Sequence, residues 1–275
     1  MPRLCRPSEW SLPTLESSSG CFETMRAYQG KIFRLEQHLD RLAGSMQYLG
    51  LARSIPMAQL RRQLVKALGD SGIEEAMVRV AIIPKPQRPS TQRTTSPSIV
   101  VQSVPLPSPQ MYRRGLRVAI VPTRRFPISQ VDPQAKFSAR LGSVHAVMEA
   151  YVRGVDEAIF TDGTGYVTES TASNFGMMKR GAFLAPPCWT GLLAGITWQA
   201  LEEVARGLGM SVREVPLTRH DLYNADEAFL SSTLKEIIAV TTIDGRRIGS
   251  GKPGPSTTRL HHAFRRLVRR ELKLR

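Results

Sequence analysis

Apolar residues recur along this chain with two different periods, and the period switches several times. Between 36 and 49, Leu39, Leu42, Ala43, Met46 and Leu49 fall three and four apart, and Leu60, Leu64 and Leu68 repeat that spacing from 57 to 68. Such spacing predicts two amphipathic helices. The stretch before them, CFETMRAY, reads as a strand. MVRVAII (77–83) and SIVVQSV (98–104) are β-branched runs separated by a Pro, Ser and Thr-rich loop, which predicts two further strands in a small mixed α and β domain.

PLPSPQMYRRG (105–115) is punctuated by proline and is the expected connector, dividing the chain into domains 1–104 and 116–275. LRVAIVP opens the second unit as a strand. After an irregular loop over 123–135, Leu141, Val144, Met148 and Tyr151 form one apolar helix face, ended by Gly154. EAIF, the turn DGTG and YVTE predict a hairpin, and NFGMM, KRG and AFLA predict another. GLLAGITWQALEEVARGLGM then reads as a helix entered through Gly195-Ile196-Thr197, with Trp198, Leu201, Ala205 and Leu208 inward. EAFLSST and IIAVTTIDG add strands, with a turn into RRIG. The fold class is therefore α/β, mixed α and β, in two domains.

Composition narrows the function classes. With 41% hydrophobic and 22% charged residues among 275, the chain is that of a soluble globular protein. No apolar run is long enough for a signal-peptide core or a membrane span, so a cytoplasmic protein is expected. Cys5, Cys21 and Cys188 lie far apart without a CxxC, which supports neither a disulfide framework nor a metal site. The net charge of +15 raises a nucleic-acid partner. No nucleic-acid motif accompanies it, however, and the arginines of FRRLVRRELKLR fit the solvated side of a helix whose inner face is Leu260, Phe264, Leu267 and Val268.

One basic position stands out. Of the 38 basic side chains only 8 are lysine, and one of these, Lys136, lies in the loop leading into the Leu141 helix. Arginine stays charged, whereas a desolvated lysine can deprotonate and act as a nucleophilic amine. If that amine joins a phosphorylated pyridine aldehyde, three needs follow. The phosphate needs an anion seat, which the helix start at Gly195-Ile196-Thr197 offers; Ser231, Ser232 and Thr233 offer a second, and Arg41 a guanidinium fork. The ring nitrogen needs a carboxylate, for which Glu169 is the candidate. Each residue taken alone has a plainer reading: a solvated lysine, a turn glutamate, an arginine snorkelling over core, a threonine capping a helix.

The joint order of these residues resembles the fold type IV pyridoxal phosphate enzymes, which include branched-chain aminotransferases, D-amino acid aminotransferases and aminodeoxychorismate lyases. The resemblance runs from about Cys21 to Pro255. It rests on FETMRAYQGKIFRLEQHLDRL, the Lys136 helix with GVDEAIFTDGTGYVTESTASNF, GLLAGITWQAL and ADEAFLSSTLKEIIAVTTIDG. It implies two α/β domains with pyridoxal 5'-phosphate between them, in a homodimer. Lys136 matches the Schiff-base lysine, Glu169 the partner of the pyridine nitrogen and Arg41 the phosphate arginine. Ile196 with Thr197, and Ser232 with Thr233, match the two phosphate seats. Phe22, Arg26, Tyr28 and Arg79 are the expected substrate-pocket residues.

The expected activity is transfer of an amino group from an aliphatic L-amino acid to a 2-oxo acid such as 2-oxoglutarate. The alternatives are the lyase, a D-amino acid aminotransferase and, from a different class, a basic nucleic-acid-binding protein on a degenerate scaffold. Leu141 stands where branched-chain enzymes usually place a tyrosine, five residues after the lysine. Pro84-Lys85-Pro86 stands where the D-amino acid enzymes carry an arginine. Ser18-Ser19-Gly20-Cys21 replaces the usual GDG before FET.

Overall fold

The computed structural model describes residues 20–51, 55–84 and 95–274; Cys5, the residues before Gly20 and Lys85-Pro86 lie outside them. The described chain forms two compact units, mixed α and β as the sequence pattern predicts. The first holds the chain up to Ser103 together with Ala135–Arg140; the second holds Val104–Gln134 and Leu141–Arg275.

In the first unit β1 (Cys21–Tyr28) pairs antiparallel with β2 (Lys31–Ile32) and β3 (Ala76–Pro84), and β3 pairs with β4 (Thr95–Ser103), in the order β2-β1-β3-β4. The register sets Cys21 opposite Ile82, Met25 opposite Val78 and Ala27 opposite Ala76. Residues directly opposite share a face, so this row forms one apolar surface. It meets Leu39, Leu42 and Met46 of α1 (Leu35–Tyr48) and Leu60, Leu64 and Leu68 of α2 (Met57–Ser71) in a single buried cluster. Each of the larger side chains contributes about 1.5–3 kcal/mol by leaving water. Glu23 falls in the same row, with no exposed surface. Along the outer edge of β1 runs the segment 135–140. Phe22 N–H donates to the Lys136 carbonyl at 3.0 Å, Ser138 N–H donates to the Gly20 carbonyl at 2.8 Å, and Cys21 bridges Phe137.

The second unit begins with the proline-rich connector, in which a short helix forms, α3 (Pro109–Arg114). The Ser108 hydroxyl caps it by accepting the Met111 N–H. Then come β5 (Leu116–Arg124), α4 (Leu141–Val152), β6 (Glu157–Thr161), β7 (Val167–Ser170), β8 (Asn174–Lys179), β9 (Ala182–Ala185), α5 (Ile196–Gly207) and β10 (Val212–Glu214). The chain ends with α6 (Arg219–Tyr223), β11 (Glu227–Ser232), β12 (Glu236–Ile243), β13 (Arg246–Arg247) and α7 (Pro255–Leu272). The sheet runs β10-β9-β8-β11-β12-β5-β6-β7 with β13 beside β12, and it closes on itself because β7 also pairs with β8, through Glu169 opposite Asn174. Both hairpins expected from the turn signals are present. α7 buries Leu260, Phe264, Leu267 and Val268, the face its spacing predicts.

α4 is the exception to the pattern. Its apolar face is turned to solvent, with Leu141 82%, Tyr151 80% and Val152 84% exposed and Val144 and Met148 more than half exposed. The buried side is Ser143, Ala146 and Ala150. Small side chains let this helix lie close on the sheet, where Ala146 and Ala150 join Val121, Ala158 and Phe160.

Candidate active site

Lys136 is held by its backbone within the first unit. Its N–H donates to the Ser45 hydroxyl of α1 at 2.9 Å, and its carbonyl accepts from Phe22. The Ser45 hydroxyl in turn donates to the Arg41 carbonyl at 2.9 Å. The Lys136 amine reaches to 5.0 Å from the centre of the Phe22 ring, which the Arg79 guanidinium approaches to 4.1 Å. The lysine, Phe22 and Arg79 are thus brought together.

Arg26 and Tyr28 lie farther along the same face of β1. Arg26 is ion-paired with Glu75 at 3.2 Å and lies over Tyr28.

Arg41 faces the other side of β1. Its Nε and Nη2 bind the two oxygens of Glu23 at 2.6 and 2.9 Å, and His38 Nδ1 meets Glu23 Oε2 at 2.8 Å. Because an ionised carboxylate only accepts, Nδ1 carries the hydrogen and donates it. Burial by itself pushes the Glu23 carboxyl up in pKa; the bonds from His38 and Arg41 more than reverse this and bring it down to about 2. Burial pushes His38 down, with Arg41 and Lys136 acting in the same direction, so its imidazole is neutral.

In the second unit Glu169 is the penultimate residue of β7, at the point where the sheet closes. Its Oε1 pairs with Arg125 Nη2 at 2.7 Å, and its Oε2 accepts the Leu193 N–H at 3.2 Å. The turn before α5 is laid down against the same corner. Asn174 donates to the Leu193 carbonyl, while Gln134 bonds the Leu192 carbonyl and the Ala194 N–H. A Cβ at Gly195 would come 2.1 Å from Asn174 Oδ1, so any larger residue there must displace that amide. α5 itself is fixed by Trp198, which packs on Phe183 and Phe229 over Gly176; a Cβ at Gly176 would come 2.6 Å from the Trp198 ring.

Whether this corner suits a phosphorylated cofactor is tested by its polar atoms. The hydroxyls of Ser170, Ser173 and Ser231 are buried without a hydrogen-bond partner, and buried hydroxyls are ordinarily bonded. Ser231 stands directly opposite Asn174 on the neighbouring strand, and Ser170 N–H bonds the Ser173 carbonyl. α5 starts at Ile196 and Thr197, both buried, with no side chain capping its first amides. Ser232 closes β11, and Thr233 begins the turn after it. Unsatisfied hydroxyls beside an uncapped helix start fit an anionic group with several acceptor oxygens. Among the described residues no group of three or more His, Cys, Asp or Glu could hold a metal ion, and no helix is long and apolar enough to cross a membrane.

Reading the sequence alone missed Arg125, Glu23, His38, Gln134 and Asn174. Two of them leave a signal. Glu23 interrupts the apolar row Cys21, Met25 and Ala27, and His38, Arg41 and Ser45 share one face of α1 at helical spacing. Arg125 has none, being one arginine among many in an irregular loop.

A lysine fixed at both ends of its peptide, a carboxylate held by an arginine and an anion seat at a helix start are the parts that a phosphorylated aldehyde cofactor requires. The chain belongs to the class IV aminotransferases, whose family model matches residues 20–243, and is a pyridoxal phosphate-dependent enzyme. It is 34% identical over 248 residues to a putative branched-chain-amino-acid aminotransferase of Methanocaldococcus jannaschii, covering 90% of this chain and 86% of that one. It is 31% identical over 254 residues to a D-alanine aminotransferase of Listeria monocytogenes, covering 89% and 85%. Among solved structures it resembles the branched-chain amino acid aminotransferase of Thermoproteus uzoniensis with norvaline, with a TM-score of 0.84 and 31% identity over 97% of this chain and 92% of that one.

Proposed function

We propose that the enzyme transfers the amino group of an aliphatic, branched-chain L-amino acid to a 2-oxo acid, with Lys136 as the catalytic amine. What supports this most is the anchoring of Lys136, whose N–H donates to the Ser45 hydroxyl and whose carbonyl accepts from Phe22, with its amine over the Phe22 ring. The branched-chain substrate class comes from the names of the M. jannaschii and T. uzoniensis proteins. When bound, the cofactor supplies an electron-poor ring that stabilises negative charge on the substrate α-carbon. Lys136 carries the proton to and from that carbon as base and then acid. Glu169, oriented by Arg125 and the Leu193 amide, offers its charge to the pyridine nitrogen. Arg41, Ile196, Thr197, Ser232 and Thr233 receive the phosphate, and Phe22, Arg26, Tyr28 and Arg79 line the substrate side.

An absorption spectrum of the pyridoxal phosphate-loaded protein, taken with a panel of L- and D-amino acids, tests this reading. Branched L-amino acids should convert the visible band to the amine form of the cofactor, and a 2-oxo acid should restore it. Response to D-alanine alone would favour the second reading, which the L. monocytogenes relative suggests. No response to any amino acid refutes both.

The assembly is proposed to be a homodimer in the cytoplasm, with the connector 105–115 as the domain boundary. The exposed face of α4 supports the dimer, because a broad apolar face on a folded protein is ordinarily covered by a partner. Leu141, Val144, Val147, Met148, Tyr151 and Val152 together expose on the order of several hundred Å2, the size that marks an interface. Light scattering should give twice the 30.5 kDa chain mass, and Met148→Glu with Tyr151→Glu should halve it. A single-chain mass for the unsubstituted protein refutes the dimer.

A further inference from the structure

The turn after β11 is held from outside the sheet. β11 and β12 pair antiparallel with Ser232 opposite Glu236, so Thr233, Leu234 and Lys235 form a three-residue hairpin turn. Glu236 follows it in the left-handed region, at φ 54°. Glycine ordinarily takes such a conformation, and another residue keeps it only where its surroundings fix it. Glu236 is 1% exposed, and its Oε2 accepts from His261 Nε2 at 2.7 Å and from Arg265 Nε at 2.8 Å, both on α7. Because an ionised carboxylate only accepts, His261 carries a hydrogen on Nε2. Burial by itself pushes the Glu236 carboxyl up in pKa; the bonds from His261 and Arg265 more than reverse this and hold it below its ordinary value.

Lys235, inside the turn, is tied as well. Its carbonyl accepts from the Tyr112 hydroxyl at 3.1 Å, and its amine donates to Glu157 Oε2 at 3.0 Å. Tyr112 belongs to the same cluster, with its ring 4.7 Å from that of His261 and 5.3 Å from the Arg265 guanidinium.

Anchoring of α7 is a poor account of these bonds. α7 already buries Leu260, Phe264, Leu267 and Val268, and a buried carboxylate paired with cations adds little stability over apolar residues of the same volume. What such a cluster does supply is one fixed geometry, here at a left-handed residue directly after the turn. The strand that leads into the turn carries Ser231, whose buried hydroxyl lacks a hydrogen-bond partner, and Ser232.

We infer that Glu236 is a positioning residue for the anion seat: His261 and Arg265 act through it to fix the turn bearing Thr233, and so set how tightly the phosphate of the cofactor is gripped. This rests on the proposal that Ser232 and Thr233 receive that phosphate. With the carboxylate released, the turn gains conformations, and the phosphate must order it on binding at a cost in affinity.

The test is equilibrium dialysis of the cofactor-free protein with pyridoxal phosphate and with pyridoxal, which differ only in the phosphate. Arg265→Met, at a partly exposed site, should weaken pyridoxal phosphate about tenfold, the effect of losing a charge-assisted hydrogen bond, and leave pyridoxal within about twofold. Arg265→Lys should recover part of the loss. Glu236→Gly suits the left-handed backbone while removing the carboxylate, and should show the same selective loss. A merely structural role would weaken both ligands alike, so an equal fall for pyridoxal, or unchanged affinity for pyridoxal phosphate in both Arg265→Met and Glu236→Gly, overturns the inference. An unsubstituted protein that binds pyridoxal as tightly as pyridoxal phosphate would sink the phosphate seat itself, and this inference with it.

Discussion

Replacing Glu23 by Gln removes one charge and almost no volume, and the structure indicates how much that charge contributes. The carboxylate is fully buried and accepts from His38 Nδ1 at 2.8 Å and from Arg41 Nε and Nη2 at 2.6 and 2.9 Å. Its pKa is brought down to about 2 from an ordinary 4.5. At about 1.4 kcal/mol per unit, the difference corresponds to about 3 kcal/mol of stability. The sign follows from which state takes the proton first. The unfolded chain does, so the contribution is complete above about pH 4.5 and is lost as pH falls from there toward 2. His38 works in the same direction, since burial holds it neutral in the fold and acid below its ordinary 6.5 favours the unfolded chain. Glu23→Gln should cost about 3–5 kcal/mol, because it takes from the half-buried Arg41 the charge of the carboxylate that its Nε and Nη2 both bind. Hydrogen exchange read on peptides spanning 20–48 isolates the first unit, and exchange there should be roughly a hundred- to several-thousandfold faster at neutral pH, the factor for about 3–5 kcal/mol. Adding Arg41→Met should recover part of it. A change below about fivefold, near 1 kcal/mol, would refute the reasoning.

Lys136→Ala should reduce amino transfer about a thousandfold or more and abolish the visible band of the loaded enzyme. Its circular dichroism should be unchanged, because the bonds that tie this segment to Ser45 and Phe22 come from the backbone and survive the substitution; a retained band would remove Lys136 from its role. Glu169→Ala should keep that band and lose turnover by about 10²–10⁴-fold. Arg125→Met should fall between this variant and the unsubstituted enzyme, and full turnover in either variant would count against the pairing. Gly195→Ala forces a Cβ to within 2.1 Å of Asn174 Oδ1; it should lower the thermal midpoint and weaken retention of pyridoxal phosphate in equilibrium dialysis, and normal retention would mean that the turn before α5 does not shape the anion seat.

The two units differ in how far the sequence discloses them, and the reason is physical. Period locates α1, α2 and β3 because each buries one face and burial imposes the period, whereas β1 and the hairpin strands β6, β7 and β8, buried on both faces, are located by short apolar runs and the turns between them. α4 breaks the rule in an informative way. Leu141, Val144, Met148 and Tyr151 have the spacing of a packed stripe, yet the sheet takes the small residues Ser143, Ala146 and Ala150 instead. Periodicity reports that a face is apolar, not which surface covers it. The chemistry divides in the same manner. Lys136, Glu169 and the Ile196–Thr197 helix start are singled out in the sequence only by their joint order, since each alone has a plainer reading. Their supports are not legible, because Arg125 meets Glu169 across 44 positions and Ser45 meets Lys136 across 91.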